Sequence, residues 1–274
     1  MDLLTECVKF IIYSSTIVLI SKYILVGTIR KLAMHLKLAS KTIGEIAGYA
    51  TSVPELLTVA ASSINGLMGA SMYNILSSNV INFIQYMASI LVNKNQKILK
   101  SKVIKIDLLL VACSILLPII FINLNLKLNL LTVVVFIGLY IFFKYIDKNA
   151  HKLYLKENHT NYKKQTKEWG KSVKYILLLI VSSVLLFVVG NLLGETLKVL
   201  CYRFEIPEVI IGILLGFITS IPELITFFEA QKHHKVSDND EDGVIEATNN
   251  LFTSNILNLF IIQSIGILVY KIFA

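Results

Sequence analysis

Apolar residues gather along this chain into stretches of about 20, parted by short polar intervals. As helix, a stretch of that length rises about 30 Å, the thickness of a bilayer's hydrocarbon core. Eight such spans are read, at about 8–27, 42–64, 66–92, 103–123, 129–146, 172–201, 206–231 and 243–272. The pattern predicts an all-α integral membrane protein of about eight transmembrane helices. A large soluble core would show shorter, amphipathic pieces instead. Composition supports the same reading: 16% of the residues are charged, against roughly 25% in soluble domains, and 55% are hydrophobic. Mean hydropathy is +0.70.

The polar intervals carry the topology. Arg30, Lys31, Lys37 and Lys41 lie between the first two spans, and Lys94, Lys97, Lys100 and Lys102 between the third and fourth. Residues 147–171 form the one long hydrophilic stretch, rich in lysine, read as a linker with a short surface helix. If every span crosses, all three intervals fall on one side. The opposite loops hold only Lys127, and Arg203 balanced by Glu205 and Glu208. Positive loops stay inside, so the linker is expected in the cytoplasm and the N-terminus outside. The net charge of +8 is thereby a topology signal, and no nucleic-acid partner is inferred. The linker divides the chain into a first half, 1–146, and a second, 172–274. Asp2 and Glu6 stand where a cleaved signal peptide would be basic, so the first span is expected to be retained. Cys7, Cys113 and Cys201 have no metal-ligand spacing and read as small packing residues.

The two halves repeat one another. LKLASKTIGEIAGYATSVPELLTV, ending at Val59, matches YRFEIPEVIIGILLGFITSIPELITF, ending at Phe228, in Ile-Gly and then Thr-Ser-x-Pro-Glu-Leu. Each is followed by a second piece, Asn74-x-x-Ser-Ser-Asn79-x-x-Asn82 and Asn250-x-x-Thr-Ser-Asn255-x-x-Asn258. The repeats thus occupy 42–92 and 206–272. Five crossings separate the two Pro-Glu spans, and an odd number makes the copies antiparallel, the inverted-repeat plan of secondary transporters.

Glu55 and Glu223 lie inside otherwise apolar spans, where an ionised side chain costs at least ~2.5 kcal/mol. One such glutamate could snorkel to an interface; two, at the same point of inverted repeats, would meet near the midplane. Pro54 and Pro222 lack an N–H, which frees the carbonyls of Ala50 and Ile218 and loosens those of Gly48 and Gly216. Thr51, Ser52, Thr219 and Ser220 add hydroxyls one turn before each glutamate. Ser78 and Asn82, and equally Ser254 and Asn258, are four apart on one helix face and are read as facing the glutamates. For Asn74, Asn79, Asn250 and Asn255, ligation and helix-to-helix bonding stay equally open. Such a site offers only oxygen, which suits Ca²⁺ or Na⁺.

Thr51-Ser52-Val53-Pro54-Glu55 and Thr219-Ser220-Ile221-Pro222-Glu223, each with its Ser-Asn-x-x-Asn piece, resemble the two α-repeats of the sodium/calcium exchanger and cation antiporter superfamily. The resemblance spans nearly the whole chain. It implies a secondary antiporter of the plasma membrane, with Ca²⁺ and Na⁺ as cargo, no cofactor, and lipid and cations as partners. A homo-oligomer is compatible with it. It also implies alternating access, as the first and sixth spans slide across the core. By its pattern the ions bind Glu55, Glu223, Thr51, Ser52, Ser78, Asn82, Thr219, Ser220, Ser254, Asn258 and the carbonyls of Gly48 and Gly216. Four features depart from the pattern. The family usually has ten spans, and this chain is read as lacking the last two. Ala50 and Ile218 replace the glycine before Thr-Ser. Ser77 and Thr253 replace the glycine before Ser-Asn, so close packing there cannot be carried over. Asn258 stands where many members have aspartate, so stoichiometry and proton coupling do not transfer.

Asp238-Asn-Asp240-Glu-Asp242-Gly243 has the spacing that opens an EF-hand loop, but Asn249 occupies the position of the bidentate glutamate. A solvated acidic turn is the favoured reading, with His233 and His234 as exposed loop residues. Two rivals to Na⁺/Ca²⁺ exchange remain: the same fold moving H⁺, K⁺ or another divalent ion, and a degenerate, non-transporting protein. An enzyme is not expected, since no metal motif, activated nucleophile or phosphate loop accompanies the glutamates.

Overall fold

The computed structural model describes residues 2–28, 38–124, 129–157, 172–235 and 240–273, and within them every regular element is a helix. Helix α1 is Leu3–Ile20, running on through a π-helical turn at Ser21–Val26. Helices α2 (Ser40–Thr51) and α3 (Val53–Ile64) make up the second span, and α4 is Met68–Val92. Helices α5 (Lys102–Asn123) and α6 (Leu130–Glu157) complete the first half. The second half holds α7 (Ser172–Lys198, with a π turn at Val199–Arg203), α8 (Glu208–Thr219) and α9 (Ile221–Lys235). Last come α10 (Asp240–Ile256), a π-helical stretch at Leu257–Ile262, and α11 (Gln263–Phe273).

Seven helical segments among the described residues are long and apolar enough to cross a membrane. The eighth predicted span, α2 with α3, falls short because it carries Ser40, Lys41, Glu45, Thr51, Ser52 and Glu55. Apolar side chains cover the outside as well as filling the core, and polar ones are drawn inward. Ile11, Leu131, Val134, Ile141 and Val184 point outward, while Asn74, Asn79, Asn250 and Asn255 are buried. Lipid tails are as apolar as leucine, so lipid-facing positions need only be hydrophobic and the polar groups turn inward.

The inverted repeats interlock crosswise. Helix α2 packs along α10, and α8 packs along α4. Glycines let the backbones close: a Cβ on Gly44 or Gly48 would meet Glu246, Asn250 and Thr253, and one on Gly212 or Gly216 would meet Ala70, Tyr73, Asn74 and Ser77. Small residues four apart are the usual route to close helix contact in lipid. This corrects one expectation. Packing beside Ser77 and Thr253 is tight after all, because the glycines sit on the opposing helices. Helix α1 lies against α7 through Phe10, Ile17, Leu186, Leu193 and Leu197.

Two further expectations change. Residues 147–157, read as linker, continue α6, with Asp147 and His151 buried. The rest of the linker, 158–171, lies outside the described residues, as do Arg30, Lys31, Lys37, Lys127, Asp238 and Asn239. Asp240–Gly243 form the first turn of α10 rather than a metal-binding loop, and Gly243 is packed against Ala230, Gln231 and His234 of α9. His234 is no exposed loop residue either: it belongs to α9, is half-buried, and lies 3.0 Å from Glu246 Oε2. The side chain of His233 is not among those described.

Candidate functional site

The break in each Pro-Glu span is the same in both repeats. Helix α2 ends at Thr51, Ser52 sits at φ −81° and ψ 0°, and α3 starts at Val53 with Pro54 in its first turn. Helix α8 ends at Thr219, Ser220 sits at φ −78° and ψ −2°, and α9 starts at Ile221 with Pro222 in its first turn. Glu55 and Glu223 therefore occupy the first turns of α3 and α9. There the helix dipoles favour negative charge, while the carbonyl ends of α2 and α8 favour a cation.

The carbonyls of Gly48 and Gly216 are not left bare by the break. Ser52 Oγ donates to Gly48 O (2.9 Å) and Ser220 Oγ to Gly216 O (2.7 Å), alongside the backbone N–H groups of the same serines. Thr51 Oγ1 approaches Gly48 O at 3.3 Å and Asn250 Oδ1 at 3.4 Å.

All of the predicted side chains converge in one closed interior. Glu55, Thr51, Ser78, Asn82, Glu223, Ser220, Ser254 and Asn258 are wholly buried, and Ser52 and Thr219 are 1% exposed. Ser78 Oγ donates to Glu55 Oε1 (3.0 Å) and receives Asn258 Nδ2 (3.2 Å). Thr219 of one repeat lies beside Glu55 of the other, and Thr51 beside Glu223. The symmetry is imperfect, because Ser254 Oγ turns to its own Leu251 carbonyl (3.3 Å) instead of to Glu223.

A count of unpaired atoms gives the site its chemistry. Glu55 Oε2, both oxygens of Glu223, Thr219 Oγ1, Thr253 Oγ1, and the Oδ1 atoms of Asn74, Asn82 and Asn258 are buried without a hydrogen-bond partner. All are oxygen. Neither glutamate forms an ion pair with a described lysine, arginine or histidine. Buried charge without hydrogen bonds or a counter-ion is costly, so two carboxylates among orphaned acceptors call for a cation.

The asparagines divide the work left open by the sequence. Asn79 Nδ2 donates to Asn255 O and Asn255 Nδ2 to Asn79 O, both at 3.1 Å. Asn82 Nδ2 reaches Asn255 Oδ1 and Asn258 Nδ2 reaches Asn79 Oδ1, both at 3.2 Å. Asn79 and Asn255 thus join α4 to α10 across the pseudo-twofold axis. Their carbonyl oxygens accept from the amide nitrogens of Asn82 and Asn258, whose own carbonyl oxygens stay free. Thr58 and Thr226 play a part that sequence reasoning passed over. Asn74 Nδ2 donates to Thr58 Oγ1 and Asn250 Nδ2 to Thr226 Oγ1. The signal was available, since Pro-Glu-Leu-x-Thr occurs in both repeats.

The family model described as sodium/calcium exchanger protein matches residues 8–147 and 174–273. Comparison of the sequence with curated proteins finds no match. Among solved structures, the chain is similar to the sodium-calcium exchanger NCX_Mj in several soaking conditions. With 100 mM Na⁺ and 10 mM Sr²⁺, the TM-score is 0.57 at 22% identity, covering 98% of this chain and 83% of that one. With 2.5 mM Na⁺ and 0.1 mM Ca²⁺ it is 0.55 at 22% identity, with the same coverage. With zero Na⁺ and Ca²⁺ it is 0.54 at 22% identity, covering 97% and 83%. At this identity the likeness speaks for the fold alone.

Proposed function

The chain belongs to the sodium/calcium exchanger protein family, and from that premise we propose that it exchanges Ca²⁺ for Na⁺ across a membrane through a single centre built on Glu55 and Glu223. The observation that carries the proposal is the pair of fully buried carboxylates surrounded by orphaned oxygens. Two carboxylates balance one divalent ion, and hard oxygen donors suit both Ca²⁺ and Na⁺. The neutral ligands in this reading are Thr51, Ser52, Ser78, Asn82, Thr219, Ser220, Ser254 and Asn258, with the carbonyls of Gly48 and Gly216 as outer members.

Exchange follows from electrostatics. An empty centre leaves two negative charges in a low-dielectric interior, which disfavours moving it across the membrane without a cation. Binding of Ca²⁺, or of Na⁺ in its place, neutralises the centre and permits the transition. Opening then requires little change in the interlocked α2–α10 and α8–α4 pairs. The α1–α7 pair, which packs through an apolar cluster, can slide past them. The distribution of lysines assigns the lysine-rich face to the cytoplasm, and the family likeness suggests the cell membrane.

Reconstitution tests this directly. Proteoliposomes loaded with Na⁺ and diluted into Na⁺-free buffer should take up radiolabelled Ca²⁺, and dissipating the Na⁺ gradient should stop the uptake. Glu55→Gln and Glu223→Gln should each abolish it. Gradient-independent uptake by the parent would overturn the antiport claim, and undiminished uptake by either variant would overturn the site.

A further inference from the structure

Away from the transport centre, α5 and α6 bring together Asp107, Asp147 and His151, whose ligating atoms all lie within 4.8 Å of one another. Asp107 sits near the start of α5, and Asp147 and His151 one turn apart toward the end of α6. These ends lie on the lysine-rich face. None of the three is on a surface: they are 0%, 1% and 5% exposed. We propose that they form a second divalent-cation site, of the Zn²⁺ class, separate from the transport centre.

Two of the three ligand-to-ligand distances already suit one ion. His151 Nε2 is 3.0 Å from Asp107 Oδ2 and 3.3 Å from Asp147 Oδ1. Donors at about 2.0–2.1 Å from a tetrahedral Zn²⁺ stand about 3.3 Å apart. One imidazole and two carboxylates are a normal three-ligand set for that ion, with the fourth position left to water.

Charge and hydrogen bonding point the same way. Lys41 Nζ holds Asp147 Oδ2 at 2.7 Å, which turns the other oxygen toward His151. Lys144 pairs with Glu45 at 3.5 Å, and Lys41 also approaches Glu45 at 3.8 Å. Three carboxylates therefore share two ammonium groups, and Asp107 contacts neither of them. Asp107 Oδ1 is fully buried without a hydrogen-bond partner, and so is Asp147 Oδ1. Two buried carboxylates that share one imidazole, each with an unpaired oxygen, are stabilised by a cation between them. Lys41 then acts on the metal through Asp147, as an outer-shell partner. An imidazole ligand also distinguishes this site from the oxygen-only transport centre, so the bound ion would be resident rather than cargo.

Co²⁺ is the probe, because it takes the place of Zn²⁺ and absorbs visibly in a low-coordinate N/O site. The full chain, purified in detergent without a histidine tag, is titrated alongside its Glu55→Gln/Glu223→Gln variant, which lacks the transport carboxylates. Both should bind one Co²⁺ with visible absorption, and Zn²⁺ should displace it. His151→Asn and Asp107→Asn, checked as monodisperse, should lose the absorption and weaken Zn²⁺ binding at least about tenfold. His151→Gln serves if either variant misfolds. Absence of the spectrum in the parent, its loss in the transport-site variant, or its persistence in a well-folded His151 variant would each overturn the proposal.

Discussion

Replacing Glu223 by glutamine separates the cost of the empty centre from the benefit of filling it. Both Glu223 oxygens are buried without a partner, and each such atom costs ~1–3 kcal/mol. Glutamine removes the charge and converts one orphaned acceptor into a donor, which can serve Glu55 Oε2 or Asn258 Oδ1. In buffer free of Na⁺ and Ca²⁺ the variant should therefore be more stable than the parent by about 1–3 kcal/mol. Each kcal/mol moves the unfolding midpoint by ~2–4 °C in a chain of this size. Ca²⁺ at ~100 times its dissociation constant should add ~2.7 kcal/mol to the parent and almost nothing to the variant. Glu55→Gln should gain less without cations, because Ser78 already satisfies one Glu55 oxygen. The assay is thermal unfolding of detergent-purified protein, followed by size-exclusion fluorescence with and without Ca²⁺. A variant less stable than the parent without cations, or one stabilised equally by Ca²⁺, would refute the reasoning.

Other substitutions probe the scaffold. Gly48→Ala puts a Cβ 2.8 Å from Asn250 O and from Thr253 Cβ, and should destabilise by ~1–3 kcal/mol from overpacking. Gly138→Ala in α6 meets nothing within 4 Å, so it should stabilise by up to ~1 kcal/mol; parallel thermal scans compare the pair. A double-mutant cycle in chemical denaturation should give Asn79 and Asn258 a coupling of ~0.5–1.5 kcal/mol, from the bond between their side chains. Thr226→Val removes the acceptor of Asn250 Nδ2; it should cost ~1–3 kcal/mol in thermal stability and weaken Ca²⁺ binding, read by calorimetry.

Much of this architecture was legible in residue order because the bilayer leaves few options. An apolar run of 20 must be a spanning helix, since no other form satisfies its backbone in lipid. A repeated Thr-Ser-x-Pro-Glu separated by five crossings must run antiparallel. Those two facts determined the helical fold, its inverted symmetry and the meeting of Glu55 with Glu223. Sequence alone did not separate the buried asparagines by role. Asn79 and Asn82 are the same residue type on one helix, and only the approach of α10 makes one a bridge and leaves the other's oxygen free. Nor could it reveal that the glycines of α2 and α8 fit against Thr253 and Ser77, because that contact depends on two helices from opposite repeats. The Asp107–Asp147–His151 cluster is the plainest case. Asp147 and His151 are four apart on one helix, but Asp107 lies 44 residues from His151 along the chain, too far for sequence to join the three. Residues 147–157 look polar enough to be solvated. Only the packing of α6 on α5, with Lys41 brought in from α2, takes Asp107, Asp147 and His151 out of water. Periodicity and local chemistry reside in the order of residues, whereas which polar groups lose their water is decided when distant helices close on one another.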